Sequence, residues 1–180
     1  GIESSGGWYM PITAYSAAFS TSLPRTGLWA MRMGIIEPTH NIYSYSDSGQ
    51  WVSIPLDATR AKLRFYLYTM SGESTLLALP EPPKPGGQAL QGLSLSVDMQ
   101  YLLVLDEWGY ILEAPIWQRR NNRAWTYYEF DLMRYAGRRI RVQWGVYNDG
   151  YNGLTAMYLD DASLELCAPG LVVAPTATLA

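Results

Sequence analysis

From Arg139 to Tyr147 every second residue is apolar: Ile140, Val142, Trp144 and Val146 alternate with Arg139, Arg141 and Gln143. A period of two puts the two sets on opposite faces of an extended strand with one buried side. The neighbouring residues enforce the same reading. Trp125 to Phe130 is aromatic and β-prone. Asp131 to Gly137 suits one short helical turn, with Asp131 as its N-cap and Gly137 ending it. Asn148-Asp149-Gly150 is turn chemistry, and Thr155 to Leu164 returns as another strand.

The rest of the chain continues in this manner. Trp8 to Tyr15 reads as a first strand, Ser16 to Thr26 as a polar loop, and Leu28 to Ile36 as a strand. His40 to Tyr45 and Gln50 to Ile54 are expected to form a hairpin across Ser46-Asp47-Ser48-Gly49. In Ala61 to Thr69 the set Leu63, Phe65, Leu67 and Thr69 opposes Lys62, Arg64, Tyr66 and Tyr68. Tyr101 to Asp106 is a continuous apolar strand with Gly109 to Ala114 as its hairpin partner. Between Ser71 and Met99, Leu76-Leu77-Ala78-Leu79 runs into a Pro/Gly-rich stretch from Pro80 to Gly87. That composition continues neither a helix nor a central strand, so 72–98 is a long surface excursion, a kind of segment that is often functional. With 180 residues there is length for one core. The expectation is an all-β antiparallel sandwich over 1–167 with an extended tail over 168–180.

Composition removes several function classes. The net charge is −3 and the 13 Lys and Arg are scattered, which is no nucleic-acid footprint. No apolar run approaches the ~20 residues of a membrane span. The single cysteine, Cys167, excludes an intrachain disulfide and reads as an inert thiol. The single histidine, His40, excludes a His–His metal pair. There is no G-x-S-x-G elbow and no P-loop. The adjacent acids Asp106-Glu107 and Asp160-Asp161 sit in no catalytic motif, so no enzyme is expected.

The pattern W-x4-FDL-x2-YAG-x-R-I-R-V from Trp125, followed by YNDG and MYLDDASL, resembles the closing third of bacterial secreted jelly-roll modules. These are the carbohydrate-binding-like and MAM-like β-sandwiches with a galactose-binding-like fold. The opening GIES-x2-GW is similar to the GFE-x-G-x2-W with which they begin. The resemblance implies a jelly roll that is secreted or displayed at a bacterial cell surface. It also implies a structural Ca2+ held by an acidic residue near the start and one in the last strand, here Glu3 and Asp161 with Asp160 as neighbour; carboxylate and carbonyl oxygens are what calcium takes. The other reading of the same residues, with equal weight, is that Asp161 caps a bulge and Glu3 is solvated.

Two functions fit such a module. One is self-association. The modules it resembles carry a further strand before the opening motif; a chain starting inside the motif would leave an open sheet edge. In the tail, Leu171, Val172, Val173, Thr176, Thr178 and Leu179 can extend and add as a strand to a neighbouring copy. That contact is heterologous and builds a fibre or surface assembly. The alternative is glycan binding by exposed rings, for which Trp108, Tyr110, Trp117 and Tyr151 are the candidates; Trp8, Trp51, Trp125 and Trp144 read as core. The sequence reading favours the self-associating, non-catalytic structural subunit, with carbohydrate binding as its alternative.

Overall fold

The computed structural model describes residues 6–74, 76–87 and 95–169, with the backbone of a short strand at 177–178. The strands are β1 (Ala18–Ser20), β2 (Ala30–Gly34), β3 (Tyr43–Ser53), β4 (Arg60–Ser71), β5 (Met99–Leu105), β6 (Ile111–Gln118), β7 (Trp125–Asp131), β8 (Arg139–Asp149), β9 (Thr155–Cys167) and β10 (Ala177–Thr178). They form two antiparallel sheets. One has the order β1-β2-β9-β4-β7 with β10 also on β9; the other has the order β3-β8-β5-β6. The expected helical turn is a 3-10 turn at Met133–Tyr135, and the Asp131 carboxylate accepts the Met133 N–H at 2.7 Å.

The core lies between the sheets and follows the alternations. Ile140, Val142, Trp144 and Val146 of β8 meet Leu63, Phe65 and Leu67 of β4, with Met157 and Leu159 of β9, all of them buried. Phe65 is edge-on to Trp144 at 5.3 Å and Trp8 packs against the same indole at 6.0 Å, offset geometries that ring quadrupoles favour. Gln100 crosses between the layers. Its amide Nε2 donates to the carbonyls of Met70 and Ala156 in the opposite sheet and to that of Arg120, and its Oε1 accepts the Arg120 N–H. A wholly buried amide is tolerated because it is fully paired.

Several local expectations change. Tyr43 to Ser53 is one uninterrupted strand instead of a hairpin, paired with β8 over its whole length. Turn-forming residues are held extended because each meets a partner across the sheet: Ser46 and Ser48 are buried small residues, and a Cβ at Gly49 would stand 2.7 Å from the Val142 carbonyl oxygen. Of the strand expected at Trp8–Tyr15 only the bridge between Tyr9 and Gly49 forms, while the expected polar loop contains β1. Strand β6 runs through Pro115 to Gln118; it is an edge strand with a register shift there, the setting in which a strand accommodates proline.

In the tail, Ala177 and Thr178 pair with Leu164 and Ser163 of β9 in the same chain. Leu171, Val172, Val173, Thr176 and Leu179 lie outside the described residues, as does Glu3.

Candidate functional site

Once the core is closed, each sheet keeps one outer face. On the four-stranded sheet the register puts Trp51 beside Arg141, Gly49 beside Gln143, Asp47 beside Gly145 and Tyr45 beside Tyr147. Tyr101 and Met99 of β5 continue the last two rows. This face has a covered end and an open end.

The covered end is apolar. Tyr45, Tyr147, Met99 and Tyr101 form a second cluster outside the main core, joined by Leu95 and Val97 of the excursion, and Leu103 and Leu105 carry it along β5 as far as the Arg141 row. The excursion is held down by polar contacts as well. Trp117 Nε1 donates to the Pro80 carbonyl at 2.8 Å and Tyr147 Oη to that of Leu95 at 2.9 Å. Arg119 donates to the carbonyls of Ser74 and Leu77. Gly86 and Gly87 exchange backbone hydrogen bonds with Ile111 on the β6 edge. A sheet face this apolar would otherwise be exposed, and the excursion buries it.

At the junction sits Asp47, 6 % exposed, whose carboxylate accepts the Tyr101 hydroxyl. Burial pushes its pKa up to about 6, against the pull of hydrogen bonds from Tyr101 and Gln143 and the charge of Arg141. Burial pushes the Tyr101 hydroxyl well above its usual range. Gly145 lies under both: a Cβ there would fall 2.2 Å from Asp47 Oδ1 and 2.4 Å from the Tyr101 ring. Only glycine fits this notch. Beside it, Gln143 Oε1 and Arg141 Nε are buried with no hydrogen-bond partner among the described residues.

The open end is aromatic and cationic. Arg139 stands over the Trp51 ring at 4.9 Å, and Arg141 is shared between Trp51 at 5.3 Å and Tyr9 at 4.4 Å. Tyr9 is 38 % exposed, Arg139 is exposed and Trp51 is half-buried. No ion pair is recorded for either arginine among the described residues. Trp51 therefore belongs to an outer face, as does Trp125 on the other sheet, whereas Trp8 and Trp144 are core as expected. The alternation alone places Trp51 opposite Val52, but only the pairing with β8 shows which side is inside.

The four rings singled out from sequence do not share one surface. Trp108 and Tyr110, 74 % and 41 % exposed, project from the β5–β6 turn, which is tied by Asp106 accepting both of their N–H groups. Tyr151, also exposed, follows β8 at the opposite end of the sheet, about 26 Å or more away at the ~3.3 Å rise per strand residue from the Arg141 row to Asp149. Trp117 lies between, half-buried under the excursion. The Trp108 turn leaves β5 where Leu105 pairs with Arg141, and Arg141 in turn with Trp51. Two of the four rings thus sit at the same end as the Trp51–Tyr9 platform.

The acidic pair at Asp160–Asp161 is engaged by protein donors. Asp160 Oδ2 accepts the N–H groups of Arg25 and Thr26, and its Oδ1 accepts that of Asp161. Asp161 pairs with the Arg25 guanidinium and the Thr26 hydroxyl. Burial alone would raise its pKa, yet the N-terminal ammonium charge, with the Thr26 and Arg25 hydrogen bonds, holds it below the usual carboxylate value. Asp161 has φ +49° where the β4–β9 register slips, which is bulge geometry. All four oxygens of the pair thus accept hydrogen bonds from described residues, and Glu3 lies outside the described residues.

No protein-family profile matches the sequence, and no curated protein does. Solved structures match by shape. The carbohydrate-binding module TmCBM61, solved with β-1,4-galactotriose, superposes with a TM-score of 0.54 at 13% identity over 88% of each chain. The xylan-binding domain CBM22-1 from Paenibacillus barcinonensis Xyn10C gives 0.50 at 11% identity, over 92% of this chain and 89% of that one. The fold is a galactose-binding-like jelly roll. A third match, the enzymatically active domain of bacteriophage CBA120 tailspike protein 4, gives 0.51 at 8% identity with 90% of this chain but only 20% of that one. At these identities the likeness concerns the fold, which hosts many functions. A cavity of about 330 Å³ at the Tyr151 end, lined by Asn41, Met70, Arg123 and Asn152 among others, has no aromatic ring in its wall.

Proposed function

We propose that this chain is a non-catalytic carbohydrate-binding module that takes a sugar chain on the open end of the outer face of its four-stranded sheet. The observation that carries the reading is the platform of Trp51 and Tyr9 with the guanidinium groups of Arg139 and Arg141 on one exposed sheet face. Sugars present apolar C–H faces that stack on rings and hydroxyls that need directed donors, and this surface supplies both. Trp108 and Tyr110 stand at its rim. The matched modules, one solved with a galactotriose and one named for xylan, support a ligand of this class. Among the described residues neither guanidinium forms an ion pair, which favours sugars bearing carboxylates, since planar bidentate recognition suits that pair.

The test is a glycan array followed by affinity electrophoresis on the best ligand. Trp51→Ala and Tyr9→Ala are each expected to weaken binding by about tenfold, which is about 1.4 kcal/mol, whereas Tyr127→Ala on the other sheet changes nothing. Binding that survives both platform changes, or an array without hits, sinks the assignment. Self-association is read from the same samples by light scattering. A chain that stays monomeric with and without residues 168–180 removes the fibre reading.

A further inference from the structure

Away from the platform, three carboxylates meet at the neck of the excursion. Glu73, Asp98 and Asp149 each offer an oxygen, and these oxygens lie within 4.8 Å of one another. Asp98 is wholly buried and Glu73 is 7 % exposed. Like charges this close and this buried raise each other's energy steeply. Compensation is incomplete: Arg119 pairs with Glu73 Oε2 at 3.1 Å, and no other cation contacts the three among the described residues. Asp98 receives neutral donors only, the Asn148 amide at 3.0 Å and the Asp149 N–H at 2.8 Å. Burial pushes Asp98 up to about 7, with the Asp149 charge adding to the rise, and Glu73 is raised by burial and by the same Asp149.

A second observation is independent of the clustering. Asn148 is wholly buried and bonded through its Nδ2 to Asp98, yet among the described residues its Oδ1 meets no donor, and neither does the buried Glu73 Oε1. Buried acceptors left unpaired are costly and call for an explanation. All the groups concerned are oxygens, a donor set that suits a hard divalent cation and not a soft one.

We infer that Glu73, Asp98 and Asp149 form a Ca2+ site that clamps the two ends of the excursion to the end of β8, beside the buried Asn148 amide. Glu73 opens that segment and Asp98 closes it, so one ion joins its entry, its exit and the sheet it covers. Calcium fits better than magnesium because it accepts irregular oxygen cages of higher coordination number. The site lies at the Thr155 end of β9, since Asn148 Nδ2 also donates to the Thr155 carbonyl. It is six residues along that strand from Asp161, so it is separate from the acidic pair there. The inference does not depend on the glycan reading.

The experiment uses the whole chain after chelator treatment. Calcium is titrated by calorimetry and Tb3+ by luminescence sensitised through the nearby aromatic residues; chymotrypsin then probes the excursion at Leu76, which is 93 % exposed. Expected are one ion per chain, a higher melting temperature with Ca2+, and slower cleavage. Glu73→Gln and Asp149→Asn each lower the affinity at least tenfold, and Asp161→Asn leaves it unchanged. Wild-type chain that binds neither Ca2+ nor Tb3+ overturns the inference, and an Asp98→Asn variant more stable than wild type at pH 8 would then show that a proton takes the cation's place. Binding lost in Asp161→Asn but kept in Glu73→Gln overturns it as well, by moving the ion to the other acidic pair. Circular dichroism on each variant separates a lost site from a lost fold.

Discussion

The two outer faces of the sandwich are built from similar residues and do different things with them. On the larger sheet Tyr66 packs on Tyr127 at 5.3 Å and Tyr68 on Trp125 at 5.8 Å. Around them the charges are mutually satisfied: Lys62 and Arg64 share Glu129, and Arg64 and Arg60 share Glu165. Hydrogen bonds from Lys62, Arg64 and Tyr127 hold Glu129 down at about 2. On the smaller sheet, half of the aromatic face is roofed by the excursion, the arginines lean on rings instead of carboxylates, and polar atoms are left unpaired. A face whose groups already serve one another has little left to offer a ligand, which teaches that aromatic content alone does not mark a binding surface.

The sharpest way to break the contrast is Gly145→Ala. The added methyl meets Asp47 and Tyr101 from a rigid strand, and overpacking of this kind costs about 3 kcal/mol or more. A fall of about 6–10 °C in melting temperature is expected for a chain of this size. A thermal melt within a degree of wild type would mean that the notch is not tight.

Next is the pH dependence that Asp47 contributes. Its folded pKa of about 6 stands above the unfolded value of 3.8. Between those two values the folded state holds the extra proton, so this group's contribution to stability falls as pH rises through the window and stays low above it. Asp47→Asn keeps an acceptor for the Tyr101 hydroxyl and is expected to flatten that slope, raising stability near pH 7 by ~1–3 kcal/mol. Denaturant unfolding at pH 4, 6 and 7.5 checks it; an unchanged slope counts against a buried ionising Asp47. Glu129 on the other face has the opposite sign, its contribution being lost as pH falls below about 4.5.

A smaller effect comes from Trp117→Phe, which removes the hydrogen bond to Pro80 and costs about 1 kcal/mol. Hydrogen exchange is expected to quicken in the excursion and stay unchanged in β4, a difference that global loosening would not produce. The smallest belongs to the ion-pair row: Arg60→Ala is expected to leave the melting temperature within a degree of wild type, because an exposed pair is screened by solvent, and melting in low and high salt checks it.

Much of the fold was legible because the strands that dominate it alternate cleanly. The faces of β4 and β8 could be assigned from Leu63, Phe65 and Leu67 and from Ile140 to Val146 before any contact was known. Segments decided by distant partners were not legible. Ser46 to Gly49 has the composition of a turn, and only its pairing with Val142 to Val146 keeps it straight. The short β1 has no periodicity to display. Of the candidate rings, Trp108 and Tyr110 are exposed, while the alternation alone reads Trp51 as core, because a strand's two faces look alike until the register says which is inside. Glu73, Asp98 and Asp149 are far apart in the chain, and nothing local announces that they meet.

The excursion is a single continuous segment that leaves β4 and re-enters at β5, and the ladders of both sheets close without it. Lengthening, shortening or recasting it would therefore alter the contour above the smaller sheet while leaving the framework's hydrogen bonds in place. Variation can therefore gather in one surface segment while the sandwich of strands beneath is inherited intact.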